Sequence, residues 1–266
     1  MSDEKKKKGK RKAVRLVIDL LTVVCLIVAG YSIYQIAKQK SEDSQGESLY
    51  ENMAEQAVQE ETKEVEVPLK KNREPVKIQM KSIDFEELWA LNEDVVAWLE
   101  LPGTIINYPV AQGKDNNEYL RTLLDGTHHR FGTLFIDYRN EKDFSDENTI
   151  IYGHNIKAGD MFSILKNYRE QSYYDEHPYF LLYTPEKTYI LEIFAGKVVD
   201  ANNAIPMTFE TKEEYQEYLN HLVEKSTFQS DVTVTSDDRI VTLYTCASDF
   251  DDARYVLCGR LTEITD

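Results

Sequence analysis

In residues 242–261, TLYTCASDFDDARYVLCGRL, a cysteine closes one β-branched and aromatic run, and an arginine opens the next run eight residues later. A cysteine attacks carbon only as the thiolate, so it needs a base or a cation beside it. Three readings of Cys246 stand open: a small buried hydrophobe, half of a disulfide with Cys258, or a nucleophile helped by Arg254. Arg254 keeps its charge at ordinary pH and offers several donors, enough to hold an oxyanion or a peptide carbonyl. Its plainer alternative is a surface pairing with Asp249, Asp251 or Asp252, worth about 0–1 kcal/mol. Of the five histidines, His221 falls on an amphipathic helical pattern, His177 precedes Pro178 in a polar loop, and His128 and His129 share a turn-like stretch. His154 differs, because it follows the apolar run TIIYG at what reads as the end of a buried strand. Cys246 also ends a strand, so the two can meet at one end of a sheet without nearness in sequence.

Other chemistries lack their residues. The chain has no Gly-rich phosphate loop, no H-E-x-x-H helix and no C-x-x-C pair, so neither a cofactor nor a metal site is expected. The run DFDD lacks EF-hand spacing and reads as a solvated loop. The formal net charge is −16, but residues 1–40 hold ten Lys/Arg against three Asp/Glu, a local +7 that leaves −23 for the rest. An acidic body of that size repels phosphates, which argues against nucleic acid as a partner.

The basic start has its own use. Residues 1–15 form a positively charged tail ahead of LVIDLLTVVCLIVAGYSIYQIA, residues 16–37, which as a helix is long and apolar enough to span a bilayer. Asp19 sits four residues from Arg15 and can pair with it at the headgroups. The positive cluster sets the N-terminus inside and everything after residue 40 outside. An uncleaved anchor fits better than a signal peptide, because the apolar stretch is too long and VAGYS is a poor cleavage site. Cys25, preceded by Val24 and placed mid-span, reads as a lipid-facing passenger.

Residues 38–75 are charged and without apolar periodicity, which suggests a stalk with a short helix near 49–60, and the folded domain is expected over 76–266. Within it, Ser82 reads as the N-cap of a helix burying Phe85, Leu88 and Trp89, and a second short helix is expected to carry Val95, Val96 and Trp98. AWLELPGTIINYPVAQG reads as strand, turn and strand. FGTLFIDYR and NTIIYGHN are further short strands, residues 160–168 a helix, and PYFLLYTPEKTYILEIFAGKVVDA a hairpin. TKEEYQEYLNHLVEKS is an amphipathic helix with Tyr215, Tyr218, Leu219 and Leu222 at spacings of three and four. Seven or eight short strands with few helices give a mostly β chain, a mainly antiparallel barrel or sandwich decorated by helices.

These residues together resemble a known family. TLYTC with its downstream arginine is similar to the nucleophile strand of sortases, the membrane-anchored cysteine transpeptidases of Gram-positive bacteria. NTIIYGHNIKAGDMF resembles their histidine segment, above all that of class B. VVAWLELPGTIINYPVAQGKDNNEYL and the helix at 211–225 resemble class B as well, and the likeness covers residues 82–264. It implies a sortase-type β-barrel of seven to eight strands with N-terminal helices and one helix inserted before the penultimate strand. It implies Cys246 as nucleophile, His154 as proton-transfer partner and Arg254 as oxyanion or substrate stabiliser. Asn116, Leu120, Tyr244 and Thr245 would then line the substrate groove, with Tyr244 larger than the small hydroxylated residue often found at its position.

The implied reaction cleaves a C-terminal sorting signal of a secreted protein and joins the protein to a peptidoglycan precursor or cross-bridge amine. Two alternatives remain: a hydrolytic cysteine peptidase on the same dyad, and a non-catalytic surface binding module.

Overall fold

The computed structural model describes residues 2–67, 76–156, 159–247 and 249–264. The chain forms two compact units, Met1–Ser48 and Leu49–Asp266. One helix, α1 (Ser2–Ala57), runs through the boundary. In the first unit its apolar residues are exposed all round, Leu16 to 74% and Ile36 to 67%. Its segment Arg15–Ala57 contains a stretch long and apolar enough to cross a membrane.

The second unit is built on an eight-stranded closed barrel. Its strands are β3 (Val95–Glu100), β4 (Asn107–Ala111), β5 (Leu134–Ile136), β6 (Asn148–Tyr152), β7 (Tyr179–Tyr183), β8 (Thr188–Asp200), β9 (Arg239–Cys246) and β10 (Ala253–Glu263). Around the barrel they run β10-β8-β7-β3-β4-β5-β6-β9. All neighbours pair antiparallel except β4 with β5 and β6 with β9, which are parallel. Closure leaves no open edge in this sheet. Trp98, Leu99, Leu134, Ile151, Leu182, Leu191, Leu243 and Leu257 fill the core. The inserted helix α4 (Lys212–Glu224) precedes β9, as expected, and is capped by the Thr211 hydroxyl, which accepts from the Glu214 N–H at 3.2 Å. Its Tyr215, Leu219 and Leu222 cover Phe194, Ile240 and Cys258 on the outside of the barrel.

Several local expectations change. The compact unit begins at Leu49, well before Val76: Tyr50, Met53 and Ala57 at the end of α1 are buried. β1 (Val58–Val67) then pairs antiparallel with β2 (Val76–Ile83). The stalk reading missed this because a few well-spaced apolar residues among many charges are enough to dock a helix end. Its segment 68–75 lies outside the described residues. Ser82 lies in β2, and the N-cap of α2 (Phe85–Leu91) is Asp84, whose carboxylate accepts from the Glu87 N–H at 3.0 Å. Val95, Val96 and Trp98 sit in β3 rather than a helix, every residue of that strand being buried. Pairing on both sides, with β4 and β7, outweighs any local helical tendency there. Residues 160–168 give a 3-10 helix, Ser163–Arg169, in place of an α-helix.

Candidate active site

The parallel pair places the chemistry. β6 and β9 run in register with Tyr152 opposite Tyr244, and the Gly153 N–H continues the ladder by donating to the Tyr244 carbonyl at 3.0 Å. His154 follows Tyr152 by two residues and Cys246 follows Tyr244 by two, so both leave the barrel at the same end. β10 returns antiparallel with Arg254 directly across from Cys246. Residues opposite one another in such a pair hold their Cβ atoms about 4.5–5.5 Å apart. The register also speaks against the Cys246–Cys258 disulfide. Cys258 lies opposite Thr242, and all three cysteines are free. Cys246 is exposed, whereas Cys258 is fully buried, and that burial pushes its thiol up to about 12.

Each group is held by a neighbour. The Asn155 side-chain amide donates to the Cys246 carbonyl at 2.9 Å, tying the end of β9 to the segment after His154. His154 Nε2 lies 2.6 Å from the Leu120 carbonyl. A carbonyl only accepts, so Nε2 carries the proton and Nδ1 is left for chemistry. Gly153 is squeezed between Phe162 and Leu134: a Cβ there would meet Phe162 Cδ2 at 2.4 Å and Leu134 Cδ2 at 2.6 Å. Only glycine lets the chain turn out of β6 to His154 so close to the core.

Arg254 donates to the Ala253 carbonyl at 3.0 Å. It is not neutralised by the acidic loop in the way the surface reading supposed. Asp249 is gripped through both oxygens by Arg169, at 2.9 and 2.6 Å, and no ion pair joins Arg254 to Asp251 or Asp252 among the described residues. Burial pushes the Tyr244 phenol up, and the Arg254 guanidinium, hydrogen-bonded to it, opposes that shift.

The four residues expected to line a groove have different placements. Tyr244 is half-buried and stands edge-on to Tyr152, ring centroids 5.2 Å apart. The Leu120 side chain is exposed, while its carbonyl holds His154. Asn116 donates to Asp137 at 2.9 Å and accepts from the Tyr138 N–H at 3.1 Å. Thr245 is buried, on the face of β9 opposite to Tyr244 and Cys246, and its Oγ1 has no partner among the described residues.

Sequence reasoning missed Asp137, Tyr152 and Asn155. Asp137 is fully buried directly after β5, where it accepts from Arg139 at 2.8 and 2.9 Å, from Asn116 and from the Tyr152 hydroxyl at 2.9 Å. Burial pushes this carboxyl up, but those donors outweigh it and hold it at about 2. The visible signal was an aspartate ending the apolar run LFI with an arginine two residues on.

The comparisons with known proteins give the family. The profile of the Sortase domain family matches residues 99–262. Sortase B of Staphylococcus aureus is 34% identical over 252 residues, 94% of this chain and 97% of its own. Sortase B of Listeria monocytogenes is 35% identical over 245 residues, 91% of this chain and 95% of its own. Among solved structures, the Staphylococcus aureus sortase B–substrate complex superposes with a TM-score of 0.65 at 36% identity, covering 68% of this chain and 85% of that one. Sortase B from B. anthracis in complex with AAEK1 gives 0.69 at 30% identity, covering 84% and 99%. The chain therefore belongs to the sortase family of cysteine transpeptidases, and within it to class B.

Proposed function

We propose that this transpeptidase is held in the membrane by residues 16–37, with residues 1–15 in the cytoplasm and the barrel outside. There it cleaves a C-terminal sorting signal of secreted proteins and joins them to a peptidoglycan precursor or cross-bridge amine. The basic tail ahead of the apolar helix supports the orientation. That the Staphylococcus aureus relative has been solved with a substrate, and that sortase B has been solved separately with triglycine, supports a peptide donor and an amine acceptor.

The observation that carries the residue roles is the register that sets Arg254 across from Cys246 at the end where His154 also emerges. In the first transfer, Cys246 Sγ bonds to the scissile carbonyl carbon and the C–N bond breaks. His154 Nδ1, having taken the Cys246 thiol proton, passes it to the departing amine, while Nε2 keeps its own proton on the Leu120 carbonyl. Arg254 offsets the charge on the carbonyl oxygen of the tetrahedral intermediate. In the second transfer the acceptor amine attacks the thioester, His154 takes its proton, and the thiolate leaves. Tyr244 and Asn116 lie beside this path and are assigned to the substrate groove. Leu120 reads as a groove wall whose backbone also steadies the histidine.

The test uses quenched peptides carrying different sorting signals, followed by intact-mass measurement. The expected result is an acyl adduct that disappears in Cys246→Ala and is discharged by added amine in preference to water. Discharge by water alone would make the protein a peptidase, and an unreactive Cys246 would remove the nucleophile role.

A further inference from the structure

We infer that Tyr50, at the end of α1, is a positioning residue for His154, acting through the loop that supplies the Leu120 carbonyl. The inference rests on His154 moving the proton in the reaction proposed above. Tyr50 is buried, and its hydroxyl donates to the Gly132 carbonyl at 2.7 Å and lies 3.0 Å from Thr133 Oγ1. Its ring stands edge-on to Tyr108, centroids 5.5 Å apart. The segment it grips bears directly on the histidine's partner. The Thr133 N–H donates to the Tyr119 carbonyl at 3.1 Å, and Thr133 Oγ1 donates to the Thr122 carbonyl at 2.8 Å. Gly132 has φ of +58°, and a Cβ on it would stand 2.5 Å from the Tyr119 oxygen and 2.7 Å from the Leu120 oxygen. Those two carbonyls therefore rest on the Gly132 backbone, and the second of them receives the His154 Nε2 proton at 2.6 Å.

The chain of contacts is Tyr50 hydroxyl, Gly132–Thr133, Tyr119–Leu120, His154. The loop that carries Leu120, already tied by the Tyr119 hydroxyl donating to Asp94 at 2.7 Å, is braced behind Gly132 by a buried phenol that precedes the barrel in sequence. The acceptor it steadies is a backbone oxygen, which no side-chain substitution at Leu120 could replace. A loop free to shift would leave Nε2 without its acceptor. The ring could then turn, and Nδ1 would no longer be fixed as the nitrogen that exchanges protons. Displacing a proton-transfer group by about 1 Å costs up to roughly a hundredfold in rate.

The experiment compares Tyr50→Phe with the unaltered full-length chain in detergent. Tyr50→Phe keeps the ring against Tyr108 and removes only the hydroxyl. Two readouts are taken: kcat and KM for thioacyl formation from peptide, and the imidazole nitrogen signals of His154 in protein labelled at histidine. The expected result is kcat lower by roughly ten- to a hundredfold with KM within about twofold, and His154 signals moved away from the Nε2-protonated pattern. Met53→Ala, which truncates a buried side chain of the same helix end and removes no hydrogen bond to Gly132, is expected to leave the His154 signals in place. Unchanged kcat and unchanged His154 signals in Tyr50→Phe would overturn the inference, as would an equal disturbance in Met53→Ala. Absence of any acyl adduct in the unaltered chain would refute the reaction instead, while the His154 signals would still decide whether Tyr50 sets the ring.

Discussion

A guanidinium across a strand pair from a thiol does one thing that an ammonium cannot. It spreads several donors in a fixed plane, so it can bond the Tyr244 phenol and the Ala253 carbonyl and, in the role proposed, still keep a donor for an oxyanion. Arg254→Lys is accordingly expected to lower kcat by about a hundredfold, with the fold intact by circular dichroism, because one fixed oxyanion donor is typically worth that much. A lysine enzyme within twofold of the original would remove Arg254 from the transition state. At this scale the sequence was legible where chemistry is rare. Cys246, His154 and Arg254 stood out because a cysteine closing an apolar run, a histidine leaving another and an arginine opening the next strand are each unusual. Asp137 did not, because a carboxylate looks the same in a string whether it is solvated or buried among four donors.

The elements bring these residues together through register, and register depends on what anchors the strand ends. Asp137 is such an anchor: through Tyr152 it holds the end of β6, and through Asn116 it holds the loop leading to Leu120. Its carboxyl is held at about 2, below the ordinary 3.8. A depressed carboxyl contributes stability that is complete above the unfolded value and lost as pH falls through the folded one. With about 1.4 kcal/mol per unit, this group contributes about 2 kcal/mol near neutral pH, fading between pH 4 and about 2. Asp137→Asn should therefore lower Tm by about 4–8 °C at pH 7, with the gap to the parent narrowing as the pH is taken toward 2 in thermal melts. A gap independent of pH would assign the loss to shape rather than charge. β6, β9 and β10 were legible as short β-branched and aromatic runs bounded by turn residues, and α4 by apolar residues at spacings of three and four. The short helix expected over Val95, Val96 and Trp98 is the misreading, while AWLE reads correctly as strand: all six residues of β3 are buried, so the strand shows no alternation at its start.

For the whole molecule, the boundary of the folded body matters in practice. Residues 76–266 look self-sufficient in sequence, yet they lack Tyr50, Met53 and Ala57 and the strand β1 that pairs with β2. Burying Tyr50 and Met53 contributes about 3–6 kcal/mol on apolar area alone. A chain cut to 76–266 is expected to melt roughly 10 °C or more below one cut to 49–266, and differential scanning calorimetry on the two reads this directly. Equal melting temperatures would mean that the helix end is a passenger. The sequence concealed this because burial of a helix end surrounded by glutamates is decided by distant residues such as Gly132 and Thr133.

The parallel pairing of β6 with β9 also governs when the enzyme becomes reactive. Parallel neighbours cannot be joined by a tight turn, and here the chain passes through β7, β8 and α4 before it returns. Synthesis runs from the N-terminus, so the histidine is made while the slot beside β6 is still vacant. Such distant pairing forms late, after the cost of closing a long loop has been met. A polypeptide interrupted before β9 carries His154 without Cys246, and one interrupted before β10 carries Cys246 without Arg254. On the roles proposed, unfinished or clipped copies are thereby inert, and the site is complete only in a molecule in which β10 has been made and has closed the barrel.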